Sequence, residues 1–342
     1  MRRHAATQTA RVRARRKRSP ALGEFELIER FFRRDTRHTL LGVGDDAALL
    51  APTPGCELAV SVDMLVEGRH FFRGGDPGAL GYKTLAVNLS DMAAMGATPR
   101  WALLAGALPA ADAGWLARFA RGFFALAEVS GVDLVGGDTT RGPLNLCVTI
   151  LGEVPSGQAL LRSGARPGDT IYVSGALGDA ALAVASRRGR VALDRSELRR
   201  CEERLLRPQP RVTLGERLRG VATAAIDISD GLIGDLGHVL DASGMGAVVE
   251  LAAIPRSRAI ECRLTGRTRA LALECLLAGG DDYELCFTVP RGQAEKIAAL
   301  ARTLGMSLVP IGAIEERAGL RVVDEKRRAL ASLPRAFDHF AR

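Results

Sequence analysis

Lysine is almost absent from this 342-residue chain: four residues stand against 43 arginines. That imbalance reads as a bias of genome base composition and argues against a lysine-rich surface built for phosphate. Long apolar runs are also missing. No stretch of about 18 residues lacks charge, Pro and Gly, which excludes a membrane-spanning helix. The six cysteines (Cys56, Cys147, Cys201, Cys262, Cys275 and Cys286) form no C-x-x-C pair, and the five histidines form no H-x-x-x-H. A disulfide framework and a zinc site are therefore not expected, and the cysteines read as buried thiols. There is no G-x-x-x-x-G-K-[ST] of a Walker NTPase and no H-R-D or D-F-G of a protein kinase. The segment Gly42 to Ala47, GVGDDA, matches G-x-G-x-x-A only in form. Two acids would stand where a helix N-terminus should receive bare pyrophosphate.

The formal charge of +8 is a property of one end. Residues 1–20 hold eight Arg or Lys and no acid, and without them 39 basic residues face 39 acidic ones. These twenty residues read as a disordered basic tail. A nucleic-acid partner is not expected from the body of the chain. The acidic, amphipathic GEFELIERFF follows where a signal peptide needs its apolar core, so the expected location is the cytoplasm.

What is present is a globular composition, 47% hydrophobic and 25% charged, at a length that suggests two domains of roughly 150 residues each. Phe25, Ile28 and Phe31 repeat at helical spacing. Residues 56–64 read as a strand, and 81–95 pass from an apolar run into a helix. Asp112 is placed to cap a helix carrying Trp115, Phe119, Phe123 and Leu126 that ends at Gly131. The Pro-, Gly- and Ser-rich stretch VPSGQALLRSGARPGD sets a boundary near Pro155, giving domains 21–155 and 156–342. Strands and helices alternate on both sides of it, so the fold class is α/β or α+β.

One pattern carries chemistry: an apolar run, read as a strand, that ends in aspartate among Gly, Ser or Thr. It occurs at LLGVGDDAALL (Asp45, Asp46), LAVSVDML (Asp63), LAVNLSDMA (Asp91), VDLVGGDTT (Asp138) and TAAIDISDG (Asp227, Asp230). Strand ends are where such folds gather ligand-binding groups. Each aspartate alone has a plainer reading: Asp91 and Asp230 as helix caps after a serine, Asp45 and Asp46 as turn residues. Together they suit hard divalent cations, since Mg²⁺ takes carboxylate, phosphate and water oxygens. Gly136 and Gly137 would let backbone approach a phosphate closely. Phosphoryl transfer fits these parts. Two phosphate dianions brought within ~4 Å repel by on the order of 16 kcal/mol at an effective dielectric near 20, which bridging cations can offset. A phosphate acceptor is already ionised and needs no general base. The acidic pattern by itself leaves the acceptor open.

Nine segments in order, GEFELI, GVGDDAALL, SVDMLVEGRHF, YKTLAVNLSDMAAMGA, GGDTTRGP, RSGARPGD, LRPQPR, AIDISDGLIGDLGH and GGDDYELCFTVP, resemble the thiamine-monophosphate kinases. The resemblance runs from about residue 23 to the end. It implies a two-domain, aminoimidazole ribonucleotide synthetase-like fold, with an N-terminal sheet at a homodimer interface and a C-terminal α/β sandwich. It also implies direct transfer from ATP to thiamine monophosphate with several Mg²⁺ ions. On this resemblance Asp46, Ser61, Val62 (by its carbonyl), Asp63, Asp91, Asp138, Asp227 and Asp230 are the metal ligands. Gly137, Asp138, Arg162 and Ser229 are ATP contacts, and His70, Asp281 and Phe337 are substrate contacts. Asp46 rather than Asp45 is the functional half of its pair. Asp281 departs from the family's more frequent Glu, and Phe337 from its Tyr or Trp. Lys83 is read as structural, because a helical apolar run follows it. The nearest alternative is another kinase or synthetase of the same superfamily. The reactive Cys near a Lys of selenophosphate synthetases has no counterpart, since residues 1–40 contain no Cys.

Overall fold

The computed structural model describes residues 23–336 and residue 340; the basic tail and Phe337 lie outside them. The first half runs α1 (Glu24–Phe31), β1 (Thr39–Leu41), β2 (Leu49–Leu50), β3 (Cys56–Val66), α2 (Pro77–Ala94), β4 (Thr98–Leu108), α3 (Ala113–Ser130), β5 (Asp133–Arg141) and β6 (Asn145–Pro155). Four of its strands form a sheet in the order β3-β6-β4-β5. β4 and β5 pair in parallel, and the other neighbours are antiparallel.

The second half runs β7 (Thr170–Val173), α4 (Asp179–Arg187), α5 (Arg195–Leu206), α6 (Val212–Leu218), β8 (Ala224–Ile228), α7 (Leu232–Ser243), β9 (Gly246–Glu250), α8 (Arg258–Glu261), α9 (Arg269–Ala278), β10 (Glu284–Val289), α10 (Ala294–Leu304), β11 (Val309–Glu315) and β12 (Gly319–Val323). Its six-stranded sheet has the order β12-β9-β11-β7-β10-β8 and is antiparallel except at β12-β9. Mixed sheets with helices against them make the chain a two-part α+β protein.

Helix α2 joins the two halves. The Asp76 side chain accepts the Ala79 N–H at 2.8 Å and Pro77 opens the first turn, an N-terminus of ordinary chemistry. The helix lies against α3 with its backbone almost in contact: a Cβ on Gly81 would stand 2.0 Å from the Phe119 carbonyl oxygen. Asp112 caps α3, and Gly131 ends it at φ 67°, as the sequence leads one to expect. Residues 77–94 are helical throughout, so the expected strand before Asp91 does not exist. An apolar run buried on nearly every side has no amphipathic stripe to distinguish helix from strand. In α1 the buried residues are Leu27 and Phe31, whereas Phe25 is 85% exposed.

The sheet of the second half is held by a buried charge on β10. Glu284 accepts hydrogen bonds from Ser174 Oγ (2.6 Å), Arg204 Nη2 (2.5 Å), and Arg211 Nε (2.7 Å) and Nη2 (2.6 Å). Burial alone would raise this carboxyl; the Arg211 hydrogen bond and the two guanidinium charges outweigh it and leave it below its ordinary range. Replacing Glu284 by Gln strands two arginines. The expected loss is about 3–5 kcal/mol in urea unfolding, against less than about 1 kcal/mol for Glu274→Gln in the exposed Arg190 pair.

Candidate active site

An open cavity of about 620 Å³ lies where the halves meet. One wall is the α2 stripe Lys83, Val87 and Asp91, spaced four apart and therefore on one helix face. A second is the segment from Asp63 to Asp76, with His70, Phe71 and Phe72. Further lining comes from the end of β8 and the turn after it, the turn before β10, and helices α4, α5 and α9.

Four aspartates of the expected set meet here: Asp63, Asp91, Asp227 and Asp230 all line the cavity. They come from a strand interior, a helix, a buried strand and the turn that follows it. Ser61, two residues before Asp63 and so on the same face of β3, donates to Asp91 Oδ2 at 2.5 Å. Ser90 donates to Asp227 Oδ2 at 2.7 Å, joining α2 to β8 across the seam. Burial, then the charges of Asp91 and Asp230, push the Asp63 carboxyl up to about 7. Burial and the Asp91 charge raise Asp227 to about 8 against the pull of Ser90. Asp91 is also raised by burial, and the Ser61 hydrogen bond and the Arg162 charge oppose the rise. Burial is the shared cause, and at Asp63 and Asp227 the charges of neighbouring carboxylates add to it.

Other expected residues stand apart. Asp46 occupies an exposed bend between β1 and β2 and does not line the cavity; its N–H donates to Asp45 Oδ1, so Asp45 serves the local turn. Asp138 and Gly137 lie inside β5, exposed and also away from the cavity. Gly137 has a packing reason to be glycine, since its Cβ would meet the Leu104 carbonyl oxygen at 1.9 Å with φ at +150°. Arg162 is exposed, close enough to Asp91 to act on its charge. The Val62 side chain points away on the opposite sheet face, 59% exposed. The five supposed strand ends reduce to one, β8 with Asp227 and Asp230; Asp63 and Asp138 sit within strands and Asp91 within a helix. Nor do Asp91 and Asp230 cap helices. The N-cap of α7 is Gly231, which offers no side-chain cap.

Of the substrate-contact candidates, His70 and Asp281 line the cavity. His70 Nδ1 accepts the Val66 N–H at 2.9 Å, which leaves Nε2 to carry the ring proton. Lys83, read from the sequence as structural, lines the cavity, and Tyr283 and Asp235 were not singled out at all. Lys83, buried to 3% exposure, donates to Asp281 Oδ1 at 2.6 Å. Tyr283 lines the cavity beside it. Asp235, in the first turn of α7, accepts the N–H groups of Ser229 and Asp230 at 3.1 Å each and so braces the turn that presents Asp230. The signal for Asp235 was an acid in a helix's first turn, where it serves orphan donors.

Among the described residues no three His, Cys, Asp or Glu converge to cage a metal unaided. The donors are nevertheless all hard carboxylate oxygens. Mg²⁺ is ordinarily held by one or two carboxylates completed by phosphate and water, so the set fits Mg²⁺ arriving with a phosphate ligand. The raised carboxyls fix a sign. An ordinary aspartate titrates near 3.8, whereas Asp63 and Asp227 release their protons at about 7 and 8. The folded chain thus holds protons the unfolded chain has lost, and the associated stability, full below about pH 4, disappears as pH rises through 7 to 8. In EDTA the melting temperature should fall between about pH 5.5 and 8.5, Asp227→Asn should flatten the fall, and Mg²⁺ should restore most at the alkaline end. A flat or rising profile in EDTA would remove the repulsive cluster.

The chain resembles known proteins along nearly its whole length. Residues 44–154 match the AIR synthase related protein N-terminal domain, and residues 166–325 match the corresponding C-terminal domain. The thiamine-monophosphate kinase of Salmonella typhimurium is 45% identical over 326 residues, covering 94% of this chain and 99% of that protein. Its counterpart in Escherichia coli K12 is 48% identical over 297 residues, covering 85% and 90%. A crystal structure of thiamine-monophosphate kinase from Stenotrophomonas maltophilia K279a superposes with a TM-score of 0.79 at 48% identity, over 88% of this chain and 97% of that one. AaThiL complexed with AMPPCP and TMP gives 0.73 at 28% identity, over 93% and 97%. With both domains matched in order and relatives of this identity along nearly its whole length, the chain belongs to the AIR synthase related family, on its thiamine-monophosphate kinase branch.

Proposed function

We propose that the chain transfers the γ-phosphoryl group of ATP to the phosphate of thiamine monophosphate, forming thiamine diphosphate and releasing ADP. The observation that carries this reading is that Asp63, Asp91, Asp227 and Asp230 line one cavity roomy enough for an organic phosphate. An acceptor phosphate oxygen attacks the γ-phosphorus in line, a P–O bond forms, and the bond to the β-bridging oxygen breaks. Asp63, Asp91, Asp227 and Asp230 would hold Mg²⁺, which would supply positive charge to offset the repulsion between donor and acceptor phosphates.

The chain's own residues fix the geometry. Ser61 orients the Asp91 carboxylate and Ser90 that of Asp227, while Asp235 holds the turn bearing Ser229 and Asp230. We assign His70 and Asp281 to the acceptor. Asp46 and Asp138 are assigned to metal, and Gly137, Asp138, Arg162 and Ser229 to ATP, on the strength of their motifs, with Phe337 assigned to the acceptor on the same ground.

A second copy of the chain is the proposed partner of the outer face of β3. Leu58, Val60, Val62 and Met64 alternate along that edge strand with side chains about half exposed, a contiguous apolar row that packing against a twin would cover. No helix among the described residues is long and apolar enough to cross a membrane, and the proposed location is the cytoplasm.

Incubation with ATP, Mg²⁺ and thiamine monophosphate should yield one thiamine diphosphate for each ADP. ADP with free phosphate and no diphosphate would sink the assignment. Asp91→Asn should lower turnover by about 100-fold or more, with thermal stability no lower than wild type. Val60→Asp combined with Val62→Asp should shift sedimentation from dimer to monomer.

A further inference from the structure

Lys83 is a buried lysine on the cavity-lining face of α2, and its ammonium stands 2.6 Å from Asp281 Oδ1. The two residues are 198 positions apart and belong to opposite halves of the molecule. Asp281 lies in a turn with unusual backbone. Its φ is 70° and that of Tyr283 is 51°, left-handed values that a non-glycine residue adopts only when its surroundings impose them. The surroundings are visible. The Asp281 N–H donates to the Ser229 carbonyl at 2.9 Å, and the Tyr283 N–H to that of Ile228 at 2.8 Å. The Tyr283 hydroxyl donates to Asp281 Oδ1 at 3.4 Å. The turn is thus stitched to the segment that carries Asp227 and Asp230, and Lys83 ties its carboxylate to α2, which carries Asp91.

We propose that Lys83 is a positioning residue for the acceptor substrate: by occupying Oδ1 of Asp281 it fixes how that carboxylate is presented to the cavity. The inference rests on the kinase reading above. Lys83 is nearly inaccessible, while a quarter of the Asp281 side chain remains open, so substrate meets the carboxylate and the lysine acts through it. A carboxylate accepts at two oxygens, and with Oδ1 committed, Oδ2 is the acceptor held in place for a donor such as the amino group of an aminopyrimidine. The ion pair holds the short aspartate arm at a set reach.

Steady-state kinetics of Lys83→Met, Asp281→Asn and the double variant test this. Lys83→Met should raise KM for thiamine monophosphate about tenfold or more while KM for ATP stays within about twofold; adding Lys83→Met to Asp281→Asn should change neither beyond about twofold. An equal penalty in both backgrounds, or a parallel rise in both KM values, overturns the proposal, because a merely structural lysine would act without regard to Asp281. Should Lys83→Met fail to fold, the double variant leaves no unpaired charge. Its comparison with Asp281→Asn then decides, equal KM values supporting the proposal and a higher one in the double variant overturning it. Wild-type protein is the separate control: without thiamine diphosphate formation there, the kinase reading itself falls.

Discussion

Everything at the seam follows from the expense of placing carboxylates next to one another away from water. Burial opposes ionisation of Asp63, Asp91 and Asp227, neighbouring carboxylates add to it at Asp63 and Asp227, and no single element could hold the three together. Helix α2 does so by being fixed from several directions. It is pressed backbone to backbone on α3, capped by Asp76, and tied to the second half through Ser90 and Lys83. The site is built from the contact between domains. Each half alone would present only a fraction of the charge, and neither would enclose the cavity.

Much of the fold was legible because periodicity reports burial on one side. The helix from Asp112 to Gly131, strand β3 from Cys56 and the apolar run of β8 all follow from patterns of apolar residues and turn chemistry. α2 was misjudged for the converse reason: a helix enclosed on nearly all sides offers no polar stripe. Sheet order was not legible, since β4 comes to lie between β5 and β6 through pairings that local sequence does not encode. Phe25 misled in a simpler way, belonging to the apolar repeat of α1 while pointing outward.

The acids were found through a pattern whose stated basis was mostly wrong. Asp63 lies inside β3 and Asp91 near the end of a helix, yet both reach the cavity because their faces point inward. What the sequence transmitted was the cost of an acid in an apolar context, and that cost draws a partner or a ligand in either secondary structure. Lys83 escaped because its counter-ion is 198 residues away, a distance over which spacing carries no information. Asp235 escaped because bracing a turn from within a helix looks, in one dimension, like any polar helix position.

Strand β3 has two faces that do different things, and alternation makes them inseparable. Ser61, Asp63 and Leu65 look toward α2, while Val60, Val62 and Met64 look outward. Each step along the strand is only about 3.3 Å, so the outer row and the acid of the cavity share one rigid ribbon. An insertion of a single residue would exchange them, placing valine in the cavity and aspartate on the apolar face. Eleven consecutive pairings with β6 guard against such a slip. Mutational drift in this segment is therefore confined to substitutions, and any length change must be absorbed in the turns at either end.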